Sequence, residues 1–321
     1  MAFLGSERFP TVAQRSQESV VSLHHRKLPL SAALSPSKHS QIPVAMAVPP
    51  DPCISENLPL SGKYPDVYTV VTVCKQSCHR DGRVRWNRQG CAACRGGARL
   101  VINARGRKGL EALSDELSQH GHRPLVVDGD ASDESVIRNL VDETMARFGR
   151  IDVLVNNAGG GTHRLPFAEI ASAQLQATLP TNLQAAFLLS QAVVPIMRAQ
   201  AGGRIVNVSS FAGRQRSLLA GADYAAAKAG MLGFTRQLAW EAGPDGITVN
   251  AVAPGITATD RVAAKWSQHS SEFRTEILNS IALRRIAEPM EVARTIAFLA
   301  SDDASYVTGA TLDVNGGAGM Q

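Results

Sequence analysis

The sequence predicts an α/β fold in which a parallel sheet is covered by helices on both faces, and three observations lead to this prediction. From residue 98 onward, short runs rich in Val, Ile and Leu alternate with longer amphipathic stretches. The runs are apolar throughout, which is typical of parallel strands buried on both faces. Polar and glycine-containing motifs follow several runs, and ligands of such sheets bind outside the carboxyl ends of the strands. We therefore expect a doubly wound sheet in a single domain over residues 98–321.

Each predicted strand is followed by a stretch with helical character, so the elements are assigned in chain order. Continuous Val, Ile and Leu indicate the strands, and amphipathic or alanine-rich composition indicates the helices. The strand and helix pairs are predicted at 99–103 and 108–120, 124–127 and 134–148, 151–155 and 174–199, 204–208 and 224–242, and 247–252 and 289–299, with a last strand at 311–314.

Composition limits the class of protein. The chain has 321 residues, 44% of them apolar, and no run approaches the roughly 18 apolar residues that a membrane span needs. Residues 98–321 hold 21 Lys and Arg against 22 Asp and Glu, so the net charge of +5 comes from the first third. We therefore expect a cytoplasmic protein that binds neither a membrane nor nucleic acid. All five cysteines precede residue 98, which suits a reduced intracellular enzyme.

Residues 1–60 differ in composition from the rest of the chain. They are rich in Ser, Pro, Arg and His and show no sustained apolar period, so we expect a disordered extension. Two alternatives stay open. The same acid-poor composition fits an organelle transit peptide, which would place the enzyme in an organelle, and upstream sequence translated by mistake would also look like this.

The most informative local feature is the pair Tyr224 and Lys228, separated by three alanines. Alanine strongly favours helix, and positions four apart share a helix face, so the phenol and the ammonium point to the same place. A cation beside a tyrosine favours the phenolate and lowers its pKa, which makes the hydroxyl a usable general acid or base. Most Tyr–Lys pairs at this spacing are solvated, so the surrounding motifs decide the interpretation.

Several motifs stand in order around this pair. Asn156-Asn157-Ala158-Gly159 ends one predicted strand, Ser209-Ser210 ends the next, and Asn-Ala-Val-Ala-Pro-Gly at 250–255 ends another. With Asn182 and the closing segments 306–309 and 314–317, these motifs resemble the short-chain dehydrogenase/reductase family from about Ala98 to Gly317. The resemblance is strongest to the 3-oxoacyl-carrier-protein reductase branch. It implies a Rossmann-like fold and an oxidoreductase that acts on a carbonyl compound or a secondary alcohol.

The resemblance also implies a role for each matching residue. Tyr224 would donate a proton to the carbonyl or accept one from an alcohol, and Ser210, with Gly213 three residues later, would bind the reacting oxygen. Lys228 would lower the Tyr224 pKa and hold the nicotinamide ribose, while Asn182 would anchor a water that relays protons to Lys228. The residues that would contact the cofactor are Asn157, Ala158, Gly159, Tyr224, Lys228, Pro254, Gly255, Thr257 and Thr259. Singly, such residues are often turn formers or surface amides; their order and spacing favour function.

The end of the strand predicted at 99–103 bears on the choice of nicotinamide. NAD-preferring members carry an acidic residue there to hold the ribose 2′-hydroxyl, whereas this chain has Ala104 followed by Arg105. No carboxylate at that position repels a 2′-phosphate, and a guanidinium pairs with one. NADP(H) is therefore the predicted cofactor, with NAD(H) as the alternative, and Asp130 matches the family's acidic residue near the adenine.

One expected motif is missing from residues 61–97, which hold a degenerate first strand and phosphate loop. Family members carry Thr-Gly-x-x-x-Gly-x-Gly before the second strand, whose glycines let backbone amides hold the pyrophosphate. Here residues 74–97 read CKQSCHRDGRVRWNRQGCAACRGG. Shifted by one base, their codons permit Thr-Gly-x-Ser-x-Gly-Ile-Gly; Trp86 followed by Asn87 must then give glycine. We hypothesise that residues 74–96 are an out-of-frame translation of the phosphate loop, and the coding DNA tests this.

Four cysteines in the same segment allow a rival interpretation. Cys74, Cys78, Cys91 and Cys94 have zinc-ligand spacing across a short loop, which metal analysis would test. GC-rich sequence read out of frame tends to yield Arg, Cys, Gly and Trp, so we predict no metal site.

Three hypotheses follow for the whole chain. The first is an NADP(H)-dependent reductase or dehydrogenase, and the second is a non-catalytic family member that has lost cofactor binding. The third is a zinc-dependent binding module fused to the Rossmann-like fold. Substrate contacts are expected from 160–164, 211–223 and 256–280. Arg214 and Arg216 lie where they could meet an acidic or phosphorylated substrate, although arginines of this kind are more often solvated. The resemblance implies a homodimer or a homotetramer, and the alanine-rich helix of Tyr224 offers a packing face.

Overall fold

A computed structural model of the chain describes residues 69–73, 86–87, 90–91, 99–119, 123–160 and 164–320, with backbone strands only before residue 99. The predicted extension 1–60 and the side chains of the four candidate zinc ligands lie outside these residues. The described strands are Thr69–Val73 (β1), Trp86–Asn87 (β2), Gly90–Cys91 (β3), Arg99–Ala104 (β4), Leu125–Asp128 (β5), Val153–Asn156 (β6), Gly203–Val208 (β7), Ile247–Pro254 (β8) and Thr311–Val314 (β9). The described helices are Arg107–Gln119 (α1), Glu134–Phe148 (α2), Ser172–Leu179 (α3), Ala185–Ala199 (α4), Ala222–Ala242 (α5), Asp260–Trp266 (α6), Ser271–Asn279 (α7) and Pro289–Leu299 (α8).

Seven strands form one sheet in the order β5-β4-β1-β6-β7-β8-β9. The pairs β4–β5, β6–β7, β7–β8 and β8–β9 are parallel. Strand order runs outward from the middle in both directions, which is the doubly wound arrangement. The predicted fold class is confirmed, and the carboxyl ends of β4 to β9 share one edge of the sheet.

Strand β1 is the exception to the parallel arrangement. It lies between β4 and β6 and runs antiparallel to both, so that Val73 pairs with Arg99 and Thr72 with Val153. A parallel neighbour would require a crossover connection, usually a helix, and the described residues contain no helix between β1 and β4. The carboxyl end of β1 therefore lies at the edge of the sheet opposite to the carboxyl ends of the other six strands.

The sheet separates two apolar cores, because neighbouring residues of each strand point to opposite faces. On one face, Leu154 packs with Leu189 of α4 and Leu140 of α2. On the other face, Val155 packs with Leu299 of α8. Both faces of the strands are buried, which explains why the strand sequences are continuously apolar.

The stretch predicted as one helix over 174–199 is divided in the structure. Helix α3 runs into a π turn at Pro180–Gln184, and α4 follows without a break in the chain's direction. Pro180 has no N–H to bond the carbonyl four residues earlier, so the regular α ladder cannot pass through it. The resulting wide turn places Asn182 in the interior, and such π turns occur frequently at functional sites.

A buried polar cluster connects β6, β7 and α5. Asn156 Nδ2 donates to Asn207 Oδ1 at 2.8 Å, and Asn207 Nδ2 donates to Thr235 Oγ1 at 2.9 Å. Asn156 and Asn207 are also direct partners in the parallel register. Because buried amides must be hydrogen-bonded, these contacts favour this one register of β6 against β7.

Candidate active site

Adjacent strand ends and one helix build the candidate site. Asn157 follows β6, Ser210 follows β7 and Pro254 ends β8, so the three lie side by side at the carboxyl edge of the sheet. Tyr224 occupies the first turn of α5, which packs along β8 and the turn after β7. All four residues line one cavity of about 1680 Å³. Ligand pockets are commonly several hundred cubic ångströms, so this one has room for a substrate beside a large cofactor.

Tyr224 and Lys228 lie on one face of α5, as the spacing predicts. The Lys228 Nζ atom is 5.9 Å from the centroid of the Tyr224 ring and donates to the Val208 carbonyl at 2.9 Å. Lys228 is 2% exposed, and this burial lowers its pKa to about 7. The ammonium therefore carries its full charge only below neutral pH. A protonated Lys228 at this position stabilises negative charge on the Tyr224 oxygen.

Replacing Lys228 with Met should raise the free energy of unfolding, and the gain should depend on pH. The folded pKa of about 7 lies below the ordinary value of 10.5, so between these values the unfolded chain binds more protons. Wild-type stability then rises with pH across this window. The advantage of Lys228→Met should shrink by roughly 2 kcal/mol from pH 7 to pH 9, at about 1.4 kcal/mol per pH unit and proton. Denaturant unfolding at both pH values measures it.

Exposed Lys265 on α6 provides the matched control. Its replacement by Met removes the same charge, and we expect no pH-dependent difference. If the Lys228→Met advantage is the same at pH 7 and pH 9, the lowered pKa is wrong.

The two serines after β7 have different surroundings. Ser209 is buried, and its hydroxyl donates to the Lys228 carbonyl at 2.8 Å. Ser210 is half-buried and caps the short helix Phe211–Gly213, its Oγ accepting from the Ala212 N–H at 3.2 Å. A Cβ on Gly213 would lie 2.7 Å from the Lys228 carbonyl carbon. Glycine at 213 thus lets the Ser210 turn pack directly on α5, which favours Ser210 over Ser209 as the residue that meets a substrate.

Asn182 lies behind the loop that follows β6. Its Oδ1 accepts from the Gly160 N–H at 2.9 Å, and its Nδ2 donates to the carbonyls of Gly160 and Thr178 at 3.2 and 2.9 Å. Gly159 has φ +155°, and a Cβ there would lie 2.8 Å from Asn182 Oδ1 and 2.9 Å from Lys228 Nζ. Asn182 and Lys228 therefore approach the same side of Gly159, a contact that only a residue without a side chain permits.

Most of the residues predicted to contact the nicotinamide lie along the same cavity. Asn157, Gly159, Pro254, Gly255, Thr257 and Thr259 line the cavity together with Tyr224 and Lys228. Gly255 lies against Asn315, where a Cβ would be 3.0 Å from the Asn315 Cα. Thr259 caps α6, its Oγ1 accepting from the Val262 N–H at 3.3 Å. The region expected to hold the pyrophosphate, 74–96, lies almost entirely outside the described residues.

Arg105 and Asp130 lie at the ends of β4 and β5, apart from the Tyr224 cavity. Arg105 Nη1 is 3.5 Å from Asp130 Oδ2, and both side chains are largely accessible. The Gly106 N–H donates to Asp128 Oδ1 at 2.9 Å, which fixes the turn after β4. The guanidinium predicted to meet a 2′-phosphate thus follows β4 and lies beside the carboxylate predicted to lie near the adenine, and both roles stay predictions.

Sequence reasoning expected substrate contacts from 256–280 but missed the two helices, α6 and α7, that this segment forms. Trp266 of α6, His269 of the turn between the two helices and Phe273 of α7 line the cavity, and the rings of His269 and Phe273 are 4.8 Å apart. Thr259 and Ser270, which cap these helices, were the signals that would have found them. The three segments expected to contact substrate do contribute cavity residues, but Arg214 forms an ion pair with Asp313 at 3.1 Å. Of the two candidate arginines, Arg216 is the exposed one.

No group of three or more His, Cys, Asp or Glu side chains within the described parts of the chain is arranged to hold a metal ion. Over the same residues, we find no helix with the length and apolar character needed to span a membrane.

Comparison with known proteins places this geometry among oxidoreductases. A family model described as Enoyl-(Acyl carrier protein) reductase matches residues 90–319. The 3-oxoacyl-[acyl-carrier-protein] reductase of Escherichia coli is 38% identical over 224 residues, which cover 70% of this chain and 88% of that protein. Levodione reductase superposes with a TM-score of 0.64 at 34% identity, covering 67% of this chain and 85% of the other. The 3-oxoacyl-[acyl-carrier protein] reductase of Brucella melitensis gives 0.63 at 33%, covering 68% and 81%.

Proposed function

Since this chain belongs to the short-chain dehydrogenase/reductase family, in the branch of the 3-oxoacyl-carrier-protein reductases, we propose that it interconverts a carbonyl compound and a secondary alcohol with NADP(H). The observation that supports this most is the convergence of Ser210, Tyr224 and Lys228 on one cavity at the carboxyl edge of the sheet. When bound, the nicotinamide supplies or accepts the hydride. The chain's own residues then have to position the carbonyl and move one proton.

Tyr224 is the proposed general acid in the reductive direction. Its hydroxyl gives a proton to the carbonyl oxygen as the carbonyl carbon becomes the carbinol carbon, and the phenolate that remains is stabilised by the nearby Lys228 ammonium. The Ser210 hydroxyl donates a hydrogen bond to the same oxygen, where negative charge develops. In the oxidative direction the phenolate accepts the alcohol proton. Asn182 is proposed to hold a water on the route to Lys228.

The test is consumption of NADPH by the purified chain over a panel of carbonyl compounds, since the motifs do not define the substrate. A positive result is oxidation that requires both NADPH and one class of carbonyl. If NADPH binds tightly but no compound of the panel is reduced, the proposed reaction is contradicted and the proposed cofactor is supported.

The competing proposal is a non-catalytic family member that has lost cofactor binding. It is favoured by the direction of β1, whose carboxyl end lies away from Tyr224, whereas a phosphate loop has to start at the cofactor edge. A thermal shift separates the two proposals, because a ligand of the native state must raise its apparent stability. No shift at millimolar NADPH favours the non-catalytic protein. A shift that appears only after the coding DNA is corrected in 74–96 supports the out-of-frame hypothesis.

Replacing Arg105 with Ala should change cofactor preference. A charge-assisted hydrogen bond to the 2′-phosphate contributes about 1.5–3 kcal/mol, so kcat/KM for NADPH should fall roughly 10- to 100-fold while the value for NADH stays unchanged. The control is Arg107→Ala, which removes a nearby exposed arginine that pairs with Glu111 on α1. Equal kcat/KM values for both nucleotides in the wild-type chain would remove the NADP(H) assignment.

A homodimer or homotetramer is the proposed assembly. Phe187 of α4 and Trp240 of α5 are 48% and 80% exposed, and the Phe187 ring packs on Phe234 at 5.2 Å. Large exposed apolar side chains on neighbouring helices are typical of protein interfaces. A sizing measurement tests the assembly, with Trp240→Glu expected to shift it toward the monomer. We also propose a cytoplasmic location, consistent with a cysteine-free body over 98–321.

A further inference from the structure

Asp223, the residue before Tyr224, is a buried carboxylate with partners on a different helix. It is 3% exposed, although an aspartate in the first turn of a helix is usually solvated. Its Oδ2 accepts from the Thr178 hydroxyl at 2.8 Å and from Gln174 Nε2 at 3.2 Å. Both donors belong to α3, so the carboxylate joins the start of α5 to another helix.

Thr178 connects this contact to Asn182. The Thr178 carbonyl accepts from Asn182 Nδ2 at 2.9 Å, and Thr178 is itself 2% exposed. Asn182 then reaches Gly160 and the side of Gly159 that also faces Lys228 Nζ. Thr178 therefore connects the two residues: its hydroxyl bonds Asp223, and its backbone carbonyl bonds Asn182, which approaches Gly159 on the same side as Lys228.

The hydrogen bond between Asp223 and Thr178 matters because the helix is irregular after α3. The chain widens into a π turn two residues after Thr178, so α3 and α4 are not one rigid rod with a regular ladder. The position of Asn182 is therefore not determined by α4 alone. The hydrogen bond between Asp223, in the first turn of α5, and Thr178, in the last turn of α3, fixes the end of α3 beside Tyr224.

We propose that Asp223 is a positioning residue, whose carboxylate holds Thr178 and thereby sets the place of Asn182 relative to Tyr224 and Lys228. The proposal rests on the proposed function of that site. Asp223 itself has no part in the chemical step.

The primary variant is Thr178→Val, which keeps the shape of the side chain and removes the hydroxyl. Misplacing a catalytic group by about 1 Å can cost around 100-fold in rate, so kcat for carbonyl reduction should fall about 10- to 100-fold, with KM for NADPH nearly unchanged. Thr178→Ser keeps the hydroxyl and should retain kcat. Thr144→Val removes another buried threonine hydroxyl, on α2, and should leave kcat unchanged.

A double-mutant cycle with Asp223→Ala shows whether the two residues act through one contact. The double variant should be no slower than Asp223→Ala alone; additive losses would overturn the proposal. If Asp223→Ala does not fold, Thr178→Val decides by itself. A folded Thr178→Val protein with wild-type kcat also overturns it.

Ionisation of Tyr224 gives a readout that does not need turnover. The ultraviolet absorbance of tyrosinate, taken as the difference between each chain and its Tyr224→Phe counterpart, isolates this one of the four tyrosines. Thr178→Val should change the Tyr224 titration, because a displaced Asn182 no longer approaches Gly159 beside Lys228 Nζ. If the wild-type chain has no turnover but this shift occurs, the proposed function fails and the positioning role stands. Turnover without any shift or kcat loss in Thr178→Val contradicts the positioning role alone.

Discussion

Replacing Tyr224 with Phe should lower kcat for carbonyl reduction by about 10²- to 10⁴-fold, the usual contribution of a general acid. The substitution removes one oxygen from a half-buried ring on the cavity wall and leaves the ring's packing in place. NADPH binding, measured by thermal shift, should therefore remain within a few-fold of wild type, since general-acid catalysis acts on the chemical step. The measurement is steady-state NADPH oxidation with the best substrate from the carbonyl panel.

Tyr306→Phe is the matched control for this substitution. Tyr306 is fully exposed on the loop before β9 and does not line the cavity. Its replacement by Phe therefore removes the same hydroxyl group at a position away from the site. Wild-type kcat is expected for this variant. A Tyr224→Phe enzyme that keeps more than about a tenth of wild-type kcat would exclude Tyr224 as the acid.

Replacing Gly159 with Ala should damage the site from the opposite wall. The added methyl group would stand 2.8 Å from Asn182 Oδ1 and 2.9 Å from Lys228 Nζ, and the φ of +155° is strained for any residue with a side chain. Both polar groups would have to move, and displacement of about 1 Å in a catalytic group costs around 100-fold. We expect kcat to fall by about that factor and the free energy of unfolding to fall by roughly 1–3 kcal/mol.

Gly233→Ala is the corresponding control. Gly233 lies inside α5, the helix of Tyr224 and Lys228, and a Cβ there meets no atom within 4 Å. This variant should be stabilised by roughly 0.5–1 kcal/mol, because alanine is the better helix former, with kcat unchanged. If Gly159→Ala behaves like Gly233→Ala, then Asn182 and Lys228 do not approach Gly159 as closely as described.

The strands and most helices from residue 99 onward were predictable because burial on both faces leaves a continuous apolar signature. Strand β7 illustrates this: it was predicted at 204–208 and spans Gly203–Val208. The candidate site was predictable for a related reason. Parallel strands end at one edge, so motifs at 157, 210 and 254 had to meet there. The functional roles of these residues stay predictions until the variants are measured.

Other features depend on contacts that no local pattern contains. A short strand made only of Thr and Val carries no signal of its direction, so the reversed direction of β1 was not predictable from its sequence. The burial of Asp223 depends on Thr178, 45 residues away in the chain. The helical stretch predicted over 174–199 contains a π turn that the sequence pattern did not reveal, because the apolar period continues through Pro180 while the regular α hydrogen-bond ladder does not.

The buried contact between Asn156 and Asn207 has a consequence for the accuracy of the site. One residue along a strand is about 3.3 Å, so a single slip of β6 against β7 would separate Asn157 from the serine turn by that distance. It would also turn every side chain of the slipped strand to the opposite face. Two valines at these positions would pack acceptably in more than one alignment, whereas the hydrogen bond from Asn156 Nδ2 to Asn207 Oδ1 forms in one. The buried amides between β6 and β7 therefore exclude alternative alignments of these strands, in which the predicted site residues would no longer meet.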